Sequence, residues 1–407
     1  MSFAFADTPY EAPDAMFELK AAFDRDTATR KLNLGPGAYL DNEGRSWILP
    51  AVSAAETQLQ ASPPGHEYLP ILGLPAFRQA ARSIAFGGDS PLINGPKIAT
   101  LQTISGTGAI RIAVQFLKLF YNAAATVYVS DPSWSNHRVM FEYAGFKVED
   151  YPYYDTPTRS VAFTKMLQRM EAVEDGGIFV LQACGHNPTG CDLTHDQWSQ
   201  LAKVLQRKNH IPLLDNAYQG FAGGSLEDDG WSVRHLFSDH GLTGILCQSF
   251  SKSMGLYGER VGAVHVVLPA NDSQSVIRAV ESQIGWISRK EISTPVRYGA
   301  TIASTIITTP ALFEQWKKDL VTMSSRIKLM REKVLQGLKA RDTPGDWSHV
   351  VTQVGMFSYT GLTEAQVLKL REKSIYLSET GRISVSGLND GNVDYFCDCV
   401  DEVVRAS

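Results

Sequence analysis

Between about residue 100 and residue 270, the chain alternates short apolar runs with stretches whose apolar residues recur every three to four positions. The short runs are typical of strands buried on both faces, and the longer spacing is typical of helices. Strands that alternate with helices predict a mainly parallel central sheet with helices on both faces, an α/β fold. The predicted strands lie at residues 126–130, 177–183, 211–214, 244–248 and 261–267.

A helix is predicted over residues 108–121, where Ile112 and Phe116 fall on one apolar stripe. It follows the small-residue turn Ser105-Gly-Thr-Gly. The first N–H groups of a helix have no partner within the helix, and they bind anions. We therefore predict an anion site at this turn.

Polar residues follow most of the predicted strands directly. The clusters are Asp131-Pro-Ser-Trp, Cys184-Gly-His-Asn-Pro-Thr-Gly, Asp215-Asn-Ala-Tyr and Ser249-Phe-Ser-Lys. In open α/β sheets, ligands bind beyond the carboxyl ends of the strands. These clusters are therefore expected to converge on one site.

The two ends of the chain predict a second, smaller domain. A charged helical pattern covers residues 309–341, and a turn followed by a terminal helix begins near residue 384. A chain of 407 residues is longer than one compact core usually serves. We predict a small α/β domain from residues 1–47 and 320–407, and a large domain, which contains the central sheet, from residues 48–319.

Composition and charge argue against several classes of function. Hydrophobic residues make up 44% and charged residues 20%, and the formal net charge of -5 leaves no basic stripe for nucleic acid or anionic lipid. No apolar run approaches the roughly 20 residues that span a membrane. The five scattered cysteines suit neither a disulfide framework nor a metal site. Because the N-terminal residues also lack a targeting pattern, we expect a cytoplasmic protein.

Lys252 is the strongest candidate for chemistry. A lysine reacts with a carbonyl only when it is partly deprotonated, which requires a crowded and partly desolvated pocket. Ser249 and Arg260 flank it in sequence. Together with the turn Ser105-Gly106-Thr107, they would supply the donors that a phosphate dianion needs. The set fits a phosphorylated aldehyde cofactor.

Asp215 closes the apolar run Ile211-Pro-Leu-Leu, so its carboxylate needs a cationic partner in a place of low dielectric constant. A protonated pyridine nitrogen is such a partner, although an isolated aspartate at a strand end is more often a helix N-cap. Tyr218 and Asn187 could both hydrogen-bond a phenolate oxygen, and His137 could orient Asp215 from behind.

These residues resemble a known family, the class I fold-type I aminotransferases, and within it the aspartate and aromatic aminotransferase group. The resemblance covers nearly the whole chain. Its motifs stand here as Asn33-Leu-Gly-Pro-Gly-Ala-Tyr, His66-Glu-Tyr-Leu-Pro-Ile-Leu-Gly, Ser105-Gly-Thr-Gly-Ala, Pro132-Ser-Trp-Ser-Asn-His, His186-Asn-Pro-Thr-Gly, Asp215-Asn-Ala-Tyr-Gln-Gly-Phe, Ser249-Phe-Ser-Lys, Gly255-Leu-Tyr-Gly-Glu-Arg-Val-Gly and Gly381-Arg-Ile-Ser-Val.

The resemblance implies that pyridoxal 5'-phosphate is the cofactor and that Lys252 holds it as a Schiff base. It implies that Asp215 meets the pyridine nitrogen, that Tyr218 and Asn187 meet the 3-hydroxyl, and that Trp134 stacks on the ring. The residues implied for the phosphate are Ser105, Gly106, Thr107, Ser249 and Arg260, together with Tyr68 of the neighbouring subunit.

The family binds the two carboxylates of its substrate with two arginines. The resemblance places Arg382 on the α-carboxylate, with a backbone contact from Gly37, and Arg289 on the distal carboxylate across a homodimer interface. A guanidinium suits this task because its planar fork matches a carboxylate. The implied substrate-binding set is Gly37, Trp134, Asn187, Arg289 and Arg382.

The implied reaction is reversible transfer of the amino group from L-aspartate to 2-oxoglutarate, which gives oxaloacetate and L-glutamate by a ping-pong mechanism. Lys252, once freed, would move the proton between the substrate α-carbon and the cofactor. Pro36 and Thr294 depart from the family pattern, and we expect both near the pocket mouth. They leave an aromatic or broad substrate range, with 2-oxoglutarate or oxaloacetate as acceptor, as the alternative.

Two other classes of function fit the sequence less well. A serine acyl transferase that used Ser249 and Lys252 would need a later Lys-Thr-Gly and a Ser-x-Asn, and neither occurs. A non-catalytic binding protein on the same scaffold would not need the intact set of lysine, aspartate and arginine.

Overall fold

The computed structural model describes residues 4–93, 95, 97–269 and 274–406. Its strands are β1 (Leu32–Asn33), β2 (Ile98–Ile104), β3 (Thr126–Asp131), β4 (Lys147–Pro152), β5 (Tyr154–Asp155), β6 (Ser160–Val161), β7 (Ile178–Gln182), β8 (Ile211–Asn216), β9 (Gly244–Ser249), β10 (Val261–Val267), β11 (Phe357–Tyr359), β12 (Ile375–Tyr376) and β13 (Arg382–Ser384).

The helices are α1 (Ala15–Arg25), α2 (Pro50–Ala61), α3 (Pro75–Phe86), α4 (Ser105–Phe120), α5 (Ser135–Tyr143), α6 (Phe163–Ala172), α7 (His195–Arg207), α8 (Leu226–Asp229), α9 (Trp231–Arg234), α10 (Gln274–Ile292), α11 (Arg297–Thr308), α12 (Pro310–Ala340), α13 (His349–Thr352), α14 (Glu364–Glu372) and α15 (Val393–Arg405). A π-helical turn (His235–Asp239) and a 3-10 turn (Val385–Gly387) complete them. None of the helices in the described part of the chain is long and apolar enough to span a membrane.

A seven-stranded sheet in the order β2-β10-β9-β8-β7-β3-β4 forms the centre. Neighbouring strands are parallel except at β10, which runs antiparallel to both β2 and β9. The predicted mainly parallel sheet is therefore confirmed, and all five predicted strands are present within two residues of their predicted bounds.

Two strands of this sheet, β2 and β4, were absent from the prediction. Both lie at the edges of the sheet. β4 carries Lys147, Glu149 and Asp150, and β2 buries the polar side chains of Thr100 and Gln102. Neither strand has the continuous apolar run that marks a central strand. β4 is largely uncovered and therefore carries charges, whereas β2 is buried but includes polar side chains that form hydrogen bonds, such as Thr100 to His265 and Gln102 to the Val296 carbonyl.

Helices cover both faces of the sheet. Along β7, Phe179 and Leu181 belong to one apolar cluster, which also contains residues of α6 and α7. Ile178 and Val180 belong to another cluster, which contains residues of α4 and α10. This alternation follows from the two-residue period of a strand, which turns successive side chains toward opposite faces.

The chain ends form a further layer around α12, where β1 pairs with β12 and β11 pairs with β13. The long helix predicted over residues 309–341 and the predicted terminal helix are confirmed as α12 and α15. The predicted domain boundary at residue 320 falls inside α12. One apolar cluster contains Leu312 and Trp316 before that boundary and Val334 and Phe396 after it. The division into two domains stays a prediction.

Gly262 of β10 marks the closest approach between the sheet and the start of α4. A Cβ at this position would lie 2.6 Å from the carbonyl oxygen of Gln248 and 2.6 Å from the carbonyl carbon of Ser105. Both are backbone atoms, so no side-chain rotation relieves the clash. Gly262→Ala is expected to lower the free energy of unfolding, measured with urea, by about 1–3 kcal/mol.

Gly258 offers a matched control, because it is exposed and a Cβ there would have no atom within 4 Å. Gly258→Ala should change the free energy of unfolding by less than about 0.5 kcal/mol. Equal effects of the two substitutions would contradict the close approach at Gly262.

Candidate active site

A cavity of about 640 Å³ opens at the edge of the sheet where β2, β3, β8 and β9 end. Among the residues singled out in the sequence, its walls include Gly37, Ser105, Gly106, Thr107, Trp134, Asn187, Asp215, Tyr218, Ser249, Lys252, Arg260 and Arg382. The polar clusters that follow the strands thus converge as expected, because parallel strands place their carboxyl ends at the same edge.

Three serine hydroxyls meet at one end of the cavity. The Ser105 hydroxyl lies 2.9 Å from the Ser249 hydroxyl and 2.8 Å from the Ser251 hydroxyl. A guanidinium N–H of Arg260 points to Ser251 at 3.5 Å, and Ser105 is the first residue of α4. Hydroxyls, a guanidinium and a helix N-terminus together suit an anion such as a phosphate.

Ser105 enters α4 with a φ of 58°, and its N–H donates to the Arg260 carbonyl over 3.1 Å. This bond ties the start of the helix to the turn that carries Arg260. Gly106 follows, where a Cβ would lie only 3.2 Å from the Cβ of Ser249. The absence of a side chain at Gly106 therefore lets the helix terminus approach Ser249 closely.

Lys252 projects into the middle of the cavity, where its Nζ lies over the Tyr218 ring, 5.2 Å from the ring centroid. Burial lowers the pKa of Lys252; the Asp215 carboxylate opposes this shift and the Arg260 guanidinium adds to it. Burial also raises the pKa of the Tyr218 phenol well above its usual range, and Asp215 adds to that effect. Burial in this cavity therefore shifts the Lys252 amine toward its neutral form and keeps the Tyr218 phenol protonated.

Asp215 lies near the end of β8 and is held from behind by His137. The two side chains are joined by a hydrogen bond of 2.9 Å between His137 Nε2 and Asp215 Oδ2. His137 is fully buried, and its other ring nitrogen lies 2.9 Å from the Ser133 hydroxyl. Because a carboxylate only accepts hydrogen bonds, His137 Nε2 is the donor, and the orientation of Asp215 is fixed.

Arg382 lies on the opposite side of the cavity, in β13. One of its terminal nitrogens donates to the Gly35 carbonyl at 3.0 Å and to the Met16 sulfur at 3.1 Å. The guanidinium stands over the Phe357 ring, 4.4 Å from its centroid. In the described part of the chain, its buried Nε has no hydrogen-bond partner. Because a guanidinium has five donors, Arg382 can still bind a carboxylate.

Asn187 is held by two hydrogen bonds to Gln182. Its N–H donates to the Gln182 side-chain oxygen at 2.9 Å, and the Gln182 amide donates to its carbonyl at 3.0 Å. The Asn187–Pro188 peptide bond is cis. The Asn187 side-chain oxygen lies 3.5 Å from a terminal nitrogen of Arg382. Asn187 thus links the end of β7 to Arg382.

Tyr68 and Arg289 do not line this cavity. Tyr68 is 88% exposed, and Arg289 is exposed near the end of α10. Pro36 lines the cavity as expected, but Thr294 is not among the lining residues. Thr294 lies in the turn after α10, close to Arg289 in sequence, and its place at the pocket mouth stays a prediction.

Several lining residues were not singled out in the sequence: Met16, Ser251, Tyr257, Phe357 and Tyr359. Ser251 and Tyr257 lie inside motifs that were quoted, so their spacing from Lys252 was an available signal. Nothing local marks the other three. No group of three or more His, Cys, Asp or Glu side chains in the described residues is arranged to hold a metal ion.

Comparisons with known proteins agree with this geometry. Residues 29–400 match the family model for aminotransferase class I and II. The chain is 44% identical to the cytoplasmic aspartate aminotransferase of Saccharomyces cerevisiae, over 97% of this chain and 95% of that protein.

Two solved structures are similar over nearly their whole length. An aspartate aminotransferase from the cytoplasm of S. cerevisiae superposes with a TM-score of 0.96 at 42% identity, covering 99% of both chains. An aromatic-amino-acid aminotransferase from Burkholderia pseudomallei, covalently bound to pyridoxal phosphate, superposes with a TM-score of 0.95 at 41% identity, covering 99% of this chain and 100% of that one. The chain therefore belongs to the class I and II aminotransferase family, which confirms the family and the fold that its sequence resembles.

Proposed function

We propose that this protein is a pyridoxal 5'-phosphate-dependent aminotransferase that reversibly transfers the amino group of L-aspartate to 2-oxoglutarate, giving oxaloacetate and L-glutamate. The observation that carries the proposal is the meeting of Lys252, Asp215 and Arg382 in one cavity. Full-length similarity to the yeast aspartate aminotransferase supports aspartate as the substrate. We propose the cytoplasm as its location, as in the name of that relative.

The charged groups and hydrogen-bond donors of the cavity fit the proposed cofactor. Asp215, oriented by His137, would accept from a protonated pyridine nitrogen, and Trp134 would cover one face of the ring. Tyr218 and Asn187 would donate to the phenolate oxygen. The phosphate would be held by Ser105, Gly106, Thr107, Ser249, Ser251 and Arg260. When bound, the cofactor supplies an electron sink for the bonding electrons released at the substrate α-carbon.

Lys252 is proposed to carry the proton. Because burial lowers its pKa, a larger share of its amine is neutral near pH 7 than in a solvated lysine. A neutral amine can accept the proton of the substrate α-carbon and then donate it to the cofactor. The protonated Tyr218 phenol below Nζ remains a hydrogen-bond donor throughout.

Arg382 is proposed to orient the substrate as well as bind it. Its guanidinium is held in place by the Gly35 carbonyl and the Phe357 ring. A carboxylate bound in the plane of this fork has little rotational freedom, so the α-carbon would present its hydrogen toward Lys252 in most encounters.

The proposal includes a homodimer that completes each site. Large exposed apolar side chains lie on the segments near Arg289 and on the loop that these segments touch: Tyr68 (88%), Trp286 (56%), Val296 (49%) and Tyr298 (41%). The segments that carry them touch, because α10 packs on the loop after Tyr68, and Arg297 donates to the Glu67 carbonyl at 2.9 Å. A contiguous exposed apolar patch favours a protein interface.

In this dimer, Tyr68 would reach the phosphate site of the neighbouring subunit and Arg289 would bind the distal carboxylate of the substrate there. Their exposure and their position outside the cavity of their own chain support this assignment. We retain the division into a small domain (1–47 and 320–407) and a large domain (48–319) as part of the same proposal.

An aromatic or broad substrate range is the second candidate. It is favoured by the aromatic side chains of Trp134, Phe357 and Tyr359 in the cavity wall, and by Pro36 at its mouth. The similarity to the Burkholderia aromatic enzyme is nearly as high as to the yeast enzyme.

Single-turnover spectra of the cofactor-loaded protein separate these candidates. Aspartate and glutamate should deplete the absorption band of the bound cofactor at least about tenfold faster than tyrosine or alanine, because only the dicarboxylates can use both arginines. Loss of the cofactor band with tyrosine but not with aspartate would contradict the assignment of aspartate as the substrate. A protein that shows no cofactor band would refute the cofactor itself.

The charged groups near Lys252 should determine the pKa of its amine. Because Asp215 raises the pKa of Lys252 and Arg260 lowers it, Asp215→Asn should shift the midpoint to lower pH and Arg260→Gln to higher pH. Competitive acylation of the cofactor-free protein with acetic anhydride, read by mass spectrometry, measures the neutral amine at each pH. Lys339, which is exposed at the end of α12, serves as the reference for reagent concentration. Shifts in the opposite order would contradict the proposed environment.

Mixed dimers test whether Arg289 acts across the interface. Lys252→Ala should lower kcat by about 10²–10⁴-fold. Arg289→Leu should lower kcat/KM for aspartate. A dimer with one subunit of each variant would contain one site that has both an intact Lys252 and an intact Arg289. Mixed dimers isolated after co-expression should therefore show about half of the wild-type aspartate turnover per dimer. No recovery in isolated mixed dimers would show that Arg289 serves its own subunit.

A further inference from the structure

Arg331 of α12 is a buried cation, only 2% exposed. Its guanidinium donates to three backbone carbonyl oxygens, those of Val350 at 2.9 Å, Gly355 at 3.0 Å and Phe357 at 2.6 Å. Burial lowers the pKa of Arg331 to about 10, so the group is still charged at neutral pH. Burying a charge costs free energy unless the charged group is well hydrogen-bonded. The hydrogen bonds that stabilise the Arg331 guanidinium all go to one stretch of backbone.

That stretch, residues 350–357, leads into β11 and the carboxylate site. The Phe357 ring lies under the Arg382 guanidinium, and β11 pairs with β13 so that Tyr359 stands opposite Arg382. Gly355 passes so close to the Asn187 loop that a Cβ on it would lie 3.0 Å from the Cα of Gly185. The three hydrogen bonds of Arg331 therefore act on backbone that directly supports Arg382.

We propose that Arg331 is a positioning residue of the substrate carboxylate site: it holds the Phe357 backbone and thereby sets the plane of the Arg382 guanidinium. A carboxylate fork works only when the two planes coincide, and the Phe357 ring is the surface on which the guanidinium lies. The inference rests on the proposed function only in taking Arg382 as the carboxylate-binding residue.

Arg326, also on α12, provides a matched control. Its guanidinium likewise donates to backbone carbonyl oxygens, those of Asp41 at 3.0 Å and Leu388 at 2.6 Å. It also reaches the Ser386 carbonyl at 3.5 Å, and all three carbonyls belong to segments outside β11. Arg326→Lys should therefore cost stability in a similar way without acting on the Phe357 backbone.

The test is the dissociation constant of the cofactor-loaded protein for succinate, a dicarboxylate without an amino group, measured by calorimetry. Arg331→Lys should raise this constant by about tenfold, because an ammonium cannot span carbonyls that a planar guanidinium reaches together. Arg326→Lys should leave it within about twofold. The KM for aspartate should rise with the succinate dissociation constant, and kcat should fall as well, because a guanidinium turned out of its plane also misdirects the hydrogen of the substrate α-carbon.

Phe357→Leu should raise the succinate constant as well, and the double variant should be no weaker than the worse single variant, because both changes act through the same ring. An unchanged constant in Phe357→Leu, or in Arg331→Lys with only a lower melting temperature, would overturn the proposal. Arg331→Gln provides the same comparison if the lysine variant does not fold.

The two proposals fail separately in this experiment. A wild-type protein that binds succinate through Arg382 but does not transaminate aspartate would refute the proposed function and leave the role of Arg331 standing. A wild-type protein that transaminates aspartate while Arg331→Lys binds succinate normally would refute the role of Arg331 alone.

Discussion

The common direction of β3, β7, β8 and β9 is the constraint on which the site depends. Parallel strands end at one edge, so the polar residues that follow them meet there although they are far apart along the chain. Because β10 runs antiparallel to both its neighbours, β2 also ends at this edge, and α4 starts there with Ser105. The helix N-terminus and the strand ends are thereby brought to the same cavity.

Electrostatics in this cavity follow from burial. Lys252 is desolvated between the Asp215 carboxylate and the Arg260 guanidinium, which act on its pKa in opposite directions. His137, itself fully buried, holds Asp215 from below. Such a site keeps a reactive amine, an oriented carboxylate and a protonated phenol within one small volume, which a solvated surface could not do.

Arg382 and the segments that hold it in place come mainly from the two ends of the chain. Arg382 bonds to the carbonyl of Gly35, 347 positions earlier, and to Asn187, 195 positions earlier. Arg331 acts on the same region from α12, through the backbone before β11. The residues proposed to react thus lie at the ends of the central strands, while the position of Arg382, the proposed carboxylate-binding residue, depends on packing between distant segments.

Much of this protein was determined by its sequence alone. The buried strands, α4 and the motifs around Lys252 and Asp215 are local features, and the spacing of residues along the chain is enough to predict them. The roles of Arg382, Arg289 and Tyr68 came only from the family resemblance, since a single arginine or tyrosine carries no local signature. Tertiary structure alone decided the edge strands β2 and β4, the thioether of Met16 against Arg382, and the buried Arg331. Each depends on side chains or carbonyls far away in the chain, and no pattern of nearby residues encodes which distant surfaces will pack together.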